Sequence, residues 1–181
     1  MNRFGVGALV ASLTVFLPLL TGCQTAPLAL NYTPSSLVQG KGEVKVGGFR
    51  YLPAERKEVA PDQIRNTAIG RIHIGQPISE YVSKAFASEL KYAGYTLDGK
   101  QNIISADIEE FTADDLGFSV DWRLKMNVKH RDRSGKSVTK PVVVEKKLEK
   151  FGEFSQAVNL VIKEAFEQTF ADANFKKTIS R

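Results

Sequence analysis

Ten residues near the middle of the chain, Val120 to Lys129, constrain its fold more than any other stretch. Val120, Trp122, Leu124, Met126 and Val128 alternate strictly with Asp121, Arg123, Lys125, Asn127 and Lys129. Successive side chains of a strand point to opposite faces, so this pattern describes an extended strand with one buried face and one wet, charged face. Such a strand belongs to an antiparallel sheet covered on one side only. Its neighbours extend the pattern. In Asn102 to Thr112, Ile104, Ala106 and Ile108 share one face while Ser105, Asp107 and Glu109 share the other. After an Asp132-Arg133-Ser134-Gly135 turn, Ser137 to Lys150 returns with Val138, Val142, Val144 and Leu148 inward. Pro141 has no N–H to give a ladder, which places that strand at an edge.

Two amphipathic segments supply the cover. Ile78, Val82, Phe86 and Leu90 recur at i+4, which predicts a helix over 78–93 that stops at Gly94. Phe154, Val158, Val161, Ile162, Ala165, Phe166 and Phe170 form the stripe of a second helix over 155–170, with Ser155 as its N-cap. Glu43-Val44-Lys45-Val46 and Arg71-Ile72-His73-Ile74 read as short strands. Tyr51 to Arg65, broken by Pro53 and Pro61, reads as a long excursion, and Lys176 to Arg181 as a basic tail that frays. The expected fold is α+β: a two-layer sandwich of a mainly antiparallel sheet, about 4–5 strands, with two amphipathic helices on one face.

The N-terminus is of a different kind. Arg3 precedes a mostly apolar run from Phe4 to Leu20, and Leu20-Thr21-Gly22-Cys23 closes it at the chain's single cysteine. A basic start, a short apolar run and a small-residue cleavage site make a secretory leader. The run contains Pro18 and is shorter than the roughly 20 apolar residues of a membrane-spanning helix. A cut before a cysteine is the layout of a bacterial lipobox, so Cys23 is the expected lipidation site and first mature residue. Gln24, rather than Asp, in the next position favours the outer membrane. The expected organisation is a lipoprotein signal peptide at 1–22, an acylated Cys23 with a flexible tether to residue 42, and a single domain from 43 to 181. The Pro-, Ser- and Gly-containing tether, about 18 residues, would span roughly 23 Å on average and about 60 Å at most. With Cys23 acylated no thiol remains, and the domain stands without disulfides.

No catalytic set is apparent. His73 and His130 are the only histidines and lie far apart, which argues against a zinc site. The acids Asp107, Glu109, Glu110, Asp114 and Asp115 lack the loop spacing of an EF-hand and read as a solvated strand face and turn. There is no Gly-x-Ser-x-Gly elbow, phosphate loop or dinucleotide fingerprint. A non-enzyme is expected, with no metal and no cofactor beyond the covalent lipid on Cys23.

The charge pattern is more specific. Between Arg123 and Lys150 ten basic residues face three acids, a net +7 against +5 for the whole chain. Cross-strand pairing of Asp107 and Glu109 with Arg123 and Lys125 would absorb the inner part. The tip is left without evident partners: Lys129, Arg131, Arg133, Lys136 and Lys140 are the candidate contacts for an acidic partner or an anion.

Together with the lipobox, three segments carry a family resemblance: Ile78-Ser79-Glu80-Tyr81-Val82, Glu89-Leu90-Lys91-Tyr92-Ala93-Gly94-Tyr95, and Phe111-Thr112-Ala113-Asp114-Asp115-Leu116-Gly117 with Val120-Asp121-Trp122. The chain resembles the YajG-like bacterial outer-membrane lipoproteins, whose layout is similar to that of LptE, the lipopolysaccharide-assembly lipoprotein. The resemblance implies fold and location and carries over no catalytic residue. The expected role is a non-catalytic accessory or scaffold for an envelope protein assembly, lipid-anchored in the outer membrane and facing the periplasm. The alternative is a binding module for an anionic envelope lipid such as lipopolysaccharide or an acidic phospholipid. Nucleic acid is not an expected partner.

Overall fold

A computed structural model of the chain describes residues 28–66, 71–100, 102–150 and 153–179. In chain order the elements are β1 (Gly42–Glu43), β2 (Lys45–Tyr51), α1 (Leu52–Glu55), β3 (Gln63–Ile64), β4 (Ile72–His73), α2 (Ile78–Tyr92), β5 (Tyr95–Thr96), β6 (Ile103–Asp115), β7 (Ser119–Arg131), β8 (Ser137–Glu149), α3 (Phe154–Ala171) and α4 (Ala173–Ile179). The principal sheet has the order β2-β6-β7-β8. β6, β7 and β8 form the antiparallel meander read from the alternation, and β2 adds a parallel edge beside β6. The fold is the expected α+β arrangement, with α2 and α3 on one face. β8, with its Pro141, is the opposite edge strand.

The alternation survives in β6 because of a bulge. Pairing shifts between Ile108 and Glu110, leaving Glu109 as the extra residue. One inserted residue inverts the parity beyond it. Phe111 and Ala113 therefore face inward and are fully buried, as are Ile104 and Ile108 before the bulge.

The helix layer packs on this face through aromatic rings. Phe86 of α2 lies edge-on to Phe49 of β2 at 5.3 Å and to Phe166 of α3 at 5.4 Å. Phe166 stacks on Phe170 at 4.5 Å. Near the start of α3, Phe154 packs against Trp122 at 5.0 Å. The two helices run in the same direction, since Tyr81 bonds Asn159 near their beginnings and Phe86 meets Phe166 further on.

Three readings need correction. The basic tail does not simply fray: residues 173–179 form α4, because Phe175 and Ile179 are buried and Phe175 packs edge-on to His130. The excursion between Tyr51 and Arg65 holds α1 and β3, and Arg65 bridges Thr112 to extend the sheet edge past the end of β2.

The third concerns the tether. From Leu28 onward the chain is a strap lying on the helices. Leu28 N–H donates to His73 O at 3.0 Å, and Asn159 of α3 donates to Asn31 O at 2.8 Å. The strap ends with Gly40 N–H donating to Ala93 O at 2.8 Å. Its central fastening is Glu89, a fully buried carboxylate on α2. Glu89 accepts from the Tyr32 hydroxyl at 2.6 Å and from the amides of Ser35 and Ser36, both at 3.1 Å. A buried charge persists only when its lone pairs are satisfied, and here the strap satisfies them. Burial beside this carboxylate also pushes the Tyr32 hydroxyl far above its ordinary pKa. Pro, Ser and Gly composition alone does not distinguish such a docked segment from a free one. The expected signal peptide at 1–22 and the expected lipidation site Cys23 lie outside the described residues.

Candidate functional site

The site begins with the strands that carry it. β7 and β8 are each 13 residues long, about 40 Å at strand rise, and their turn projects at the end where α2 and α3 finish. Asp132 builds the turn. Its Oδ1 accepts from the Ser134 amide at 2.8 Å, the Ser134 hydroxyl at 2.6 Å and the Lys136 amide at 3.0 Å. The hydroxyl bond is the main reason its carboxyl is held below the usual range. Gly135, at φ +84°, supplies the left-handed position that closes the turn.

The structure separates the five candidate cations. Lys129 lies on the outer face and is ion-paired with Asp107, which Arg50 also approaches at 3.7 Å. Lys140 leans toward the helix layer and bonds Asp172, at the α3–α4 junction, at 2.9 Å. That bond is the leading reason the Asp172 carboxyl sits below its ordinary range. The tip is thus not without partners. Asp172 is 32 positions away from Lys140, so no local pattern pairs them. Arg133 stands 3.8 Å from Glu43 with both side chains largely exposed, a contact of little energetic weight. Among the described residues Arg131 and Lys136 have no ion pair, and both are exposed. The effective basic surface is therefore Arg131, Arg133 and Lys136, smaller and sharper than the sequence implied.

Further along the hairpin the same neutralisation holds. Lys125 meets Glu109 at 2.8 Å, as expected. Arg123 pairs with Glu110 at 3.1 Å and with Glu145, because the bulge at Glu109 shifts the register by one. Lys146 reaches Glu164 of α3 and Lys150 reaches Asp115, each at 2.6 Å.

Beneath the turn lies a pocket of about 270 Å³ lined by Asn102, His130, Asp132, Arg133, Ser134, Lys136, Val138 and Thr178. His130 was not a sequence candidate. It is 1% exposed, and its Nε2 has no hydrogen-bond partner. Burial lowers its pKa below 6.5, partly offset by Asp132. The arrangement offers cationic and neutral donors around a small opening, with Asp132 already occupied by the turn. Among the described residues no group of three or more His, Cys, Asp or Glu side chains is placed to hold a metal ion. None of the described helices is long and apolar enough to cross a membrane.

No family model matches the sequence, and no curated protein matches it either. Solved structures do resemble the fold. Protein XCC0632 from Xanthomonas campestris, of family-model DUF330, superposes with a TM-score of 0.56 at 11% identity, over 86% of this chain and 95% of its own. This likeness speaks for the fold alone. The hypothetical protein CT253 from Chlamydia trachomatis aligns at TM-score 0.48 and 10% identity, over 77% of this chain and 98% of its own. A minor lipoprotein from Acinetobacter baumannii aligns at TM-score 0.39 and 12% identity, over 73% of this chain and 93% of its own.

Proposed function

We propose that this chain is a non-catalytic lipoprotein of the bacterial envelope. It is acylated at Cys23, anchored in the outer membrane toward the periplasm, and acts as an accessory to an envelope protein assembly. The reading rests on the lipobox-like Leu20-Thr21-Gly22-Cys23, on the resemblance to YajG-like lipoproteins, and on one structural observation above the rest. Of the five candidate cations, Arg131 and Lys136, without an ion pair among the described residues, and the weakly paired Arg133 share one turn, at the opposite end of α2 from where the strap begins. A domain tied down at one end and basic at the other presents that turn to an acidic protein surface.

The alternative, an anionic envelope lipid as ligand, draws support from the pocket under Arg133 and Lys136 but not from the layer between helices and sheet. Fully buried rings of Phe86, Phe111 and Phe166 already fill that layer, which leaves acyl chains no room there.

The test is site-specific photocrosslinking in cells at positions 131, 133 and 136, with position 84 on the exposed side of α2 as control. A single protein adduct from the turn alone, lost on Arg131→Glu with Arg133→Glu while the melting temperature holds, is the expected result. Equal adducts from position 84, or an adduct that survives both charge reversals, would refute the reading. Adducts to lipid alone would transfer it to the alternative.

A further inference from the structure

The opposite end of the sheet carries an unusual turn. β6 and β7 are joined by Leu116-Gly117-Phe118, and Leu116 is 61% and Phe118 87% exposed. Turn tips are ordinarily polar, and two large apolar side chains held in water are unfavourable. They are not on a loose loop. Leu116 N–H donates to Ser119 O at 3.0 Å, Gly117 N–H to the Asp115 carboxylate at 2.9 Å, and Lys150 N–H to Phe118 O at 3.1 Å. Asp115 is in turn bonded to Lys150 at 2.6 Å, which holds its carboxyl below the usual range. Gly117 sits at φ +97°, where a side chain would strain the turn. Half of the backbone polar groups of Leu116, Gly117 and Phe118 are bonded from within, so the turn suits the hydrated interfacial layer of a bilayer, where water serves the rest, and not its hydrocarbon core.

Its place in the fold says what covers it. Leu28 enters by bonding His73 of β4, β4 pairs with Gln63 of β3, and Arg65 bridges Thr112 in the direction of β6. Counting along that register, the chain enters about seven residues, or about 23 Å, short of the turn. Leu28 is five chain steps from Cys23, a reach of at most about 18 Å. With this end toward the membrane, the turn extends past the furthest point that Cys23 can occupy. We propose that Leu116 and Phe118 insert into the surface of the bilayer that anchors Cys23, so that the domain stands upright with its basic turn about 40 Å away. The proposal rests on the lipoprotein reading above. Asp114, Asp115, Asp121 and Glu149 outnumber Lys147 and Lys150 around the turn, so the insertion is apolar and owes nothing to anionic lipid.

The test uses the full acylated chain in phospholipid vesicles. With Cys23 acylated, a single introduced cysteine takes an environment-sensitive fluorophore. On Leu116→Cys the probe is expected to shift to the blue and to be quenched at least threefold by lipids bearing a shallow nitroxide; on Ser134→Cys it stays in water. Adding Phe118→Ser should reverse most of the change at 116. The response should be the same on zwitterionic vesicles and on vesicles with one-third anionic lipid. A probe at 116 that behaves like the one at 134, that is shielded without lipid quenching, or that responds only to anionic lipid overturns the proposal. Acylation is read separately as added mass on Cys23: a lipidated chain with a water-exposed 116 refutes the insertion alone, and a chain without lipid refutes both.

Discussion

Removing the Glu89 side chain should unfasten the strap and, through it, change how the domain is held. Glu89→Ala deletes one acceptor that serves the Tyr32 hydroxyl and the amides of Ser35 and Ser36. Hydrogen bonds to a charged group contribute about 1.5–3 kcal/mol each, so three set an upper bound of about 4.5–9 kcal/mol. The strap can lift and return its donors to water, and the cost of burying the carboxylate disappears with it. Both effects reduce the loss to about 3 kcal/mol, a fall of roughly 6–12 °C in melting temperature for a domain of this size. Thermal melting followed by circular dichroism reads the first number. Hydrogen exchange reads its location: the amides of Ser35 and Ser36 should lose protection while those of β7 keep theirs. Glu89→Gln, which retains one acceptor oxygen, should fall between. A Glu89→Ala protein that melts within about 2 °C of the parent with those amides still protected would refute the reasoning. Release of the strap also moves the first point of attachment from Leu28 to Gly40, 17 chain steps from Cys23 and a reach near 60 Å. The same substitution should therefore abolish lipid quenching at position 116.

Two further outcomes follow from the same contacts. Burial lowers the His130 pKa, so the unfolded chain binds a proton first; stability should decline as pH falls below about 6.5 and level off beneath the lowered value, and denaturant titrations of His130→Leu should show no slope from this group in that window. Gly94 is at φ +100°, and a Cβ there would stand 2.7 Å from Gly40 O, so Gly94→Ala should cost about 1–3 kcal/mol by denaturant titration and weaken the Gly40–Ala93 hydrogen bond seen in exchange.

The sheet and its helical cover were legible because their signals are local. Val120 to Lys129 alternates without a fault, and Ile78 to Leu90 repeats every fourth residue; burial of one face is the only way either pattern lowers its free energy. The edge position of β8 was legible from Pro141, and the turn of the basic hairpin from Asp132 to Gly135. The bulge at Glu109 was not, because the extra residue is chosen by what Phe111 and Ala113 gain in the core. Lys140 could not be assigned to Asp172, or Lys146 to Glu164, since each pair joins β8 to the helix layer across many residues. His130 could be weighed from sequence only as a metal ligand, because a single histidine among lysines carries no periodic signal of the pocket it lines.

By itself the sequence determined the class of fold and the face each long strand buries. These depend on neighbours within a few residues. Tertiary structure decided which cations remain uncompensated and that residues 28–40 are a strap fastened to Glu89. It also placed the apolar turn and the entering chain at one end of the sheet, with the basic turn at the other. Those outcomes depend on which groups are brought within a few ångströms across 30 to 130 positions of chain, where Coulomb and hydrogen-bond energies act on distance in space and are blind to distance in sequence.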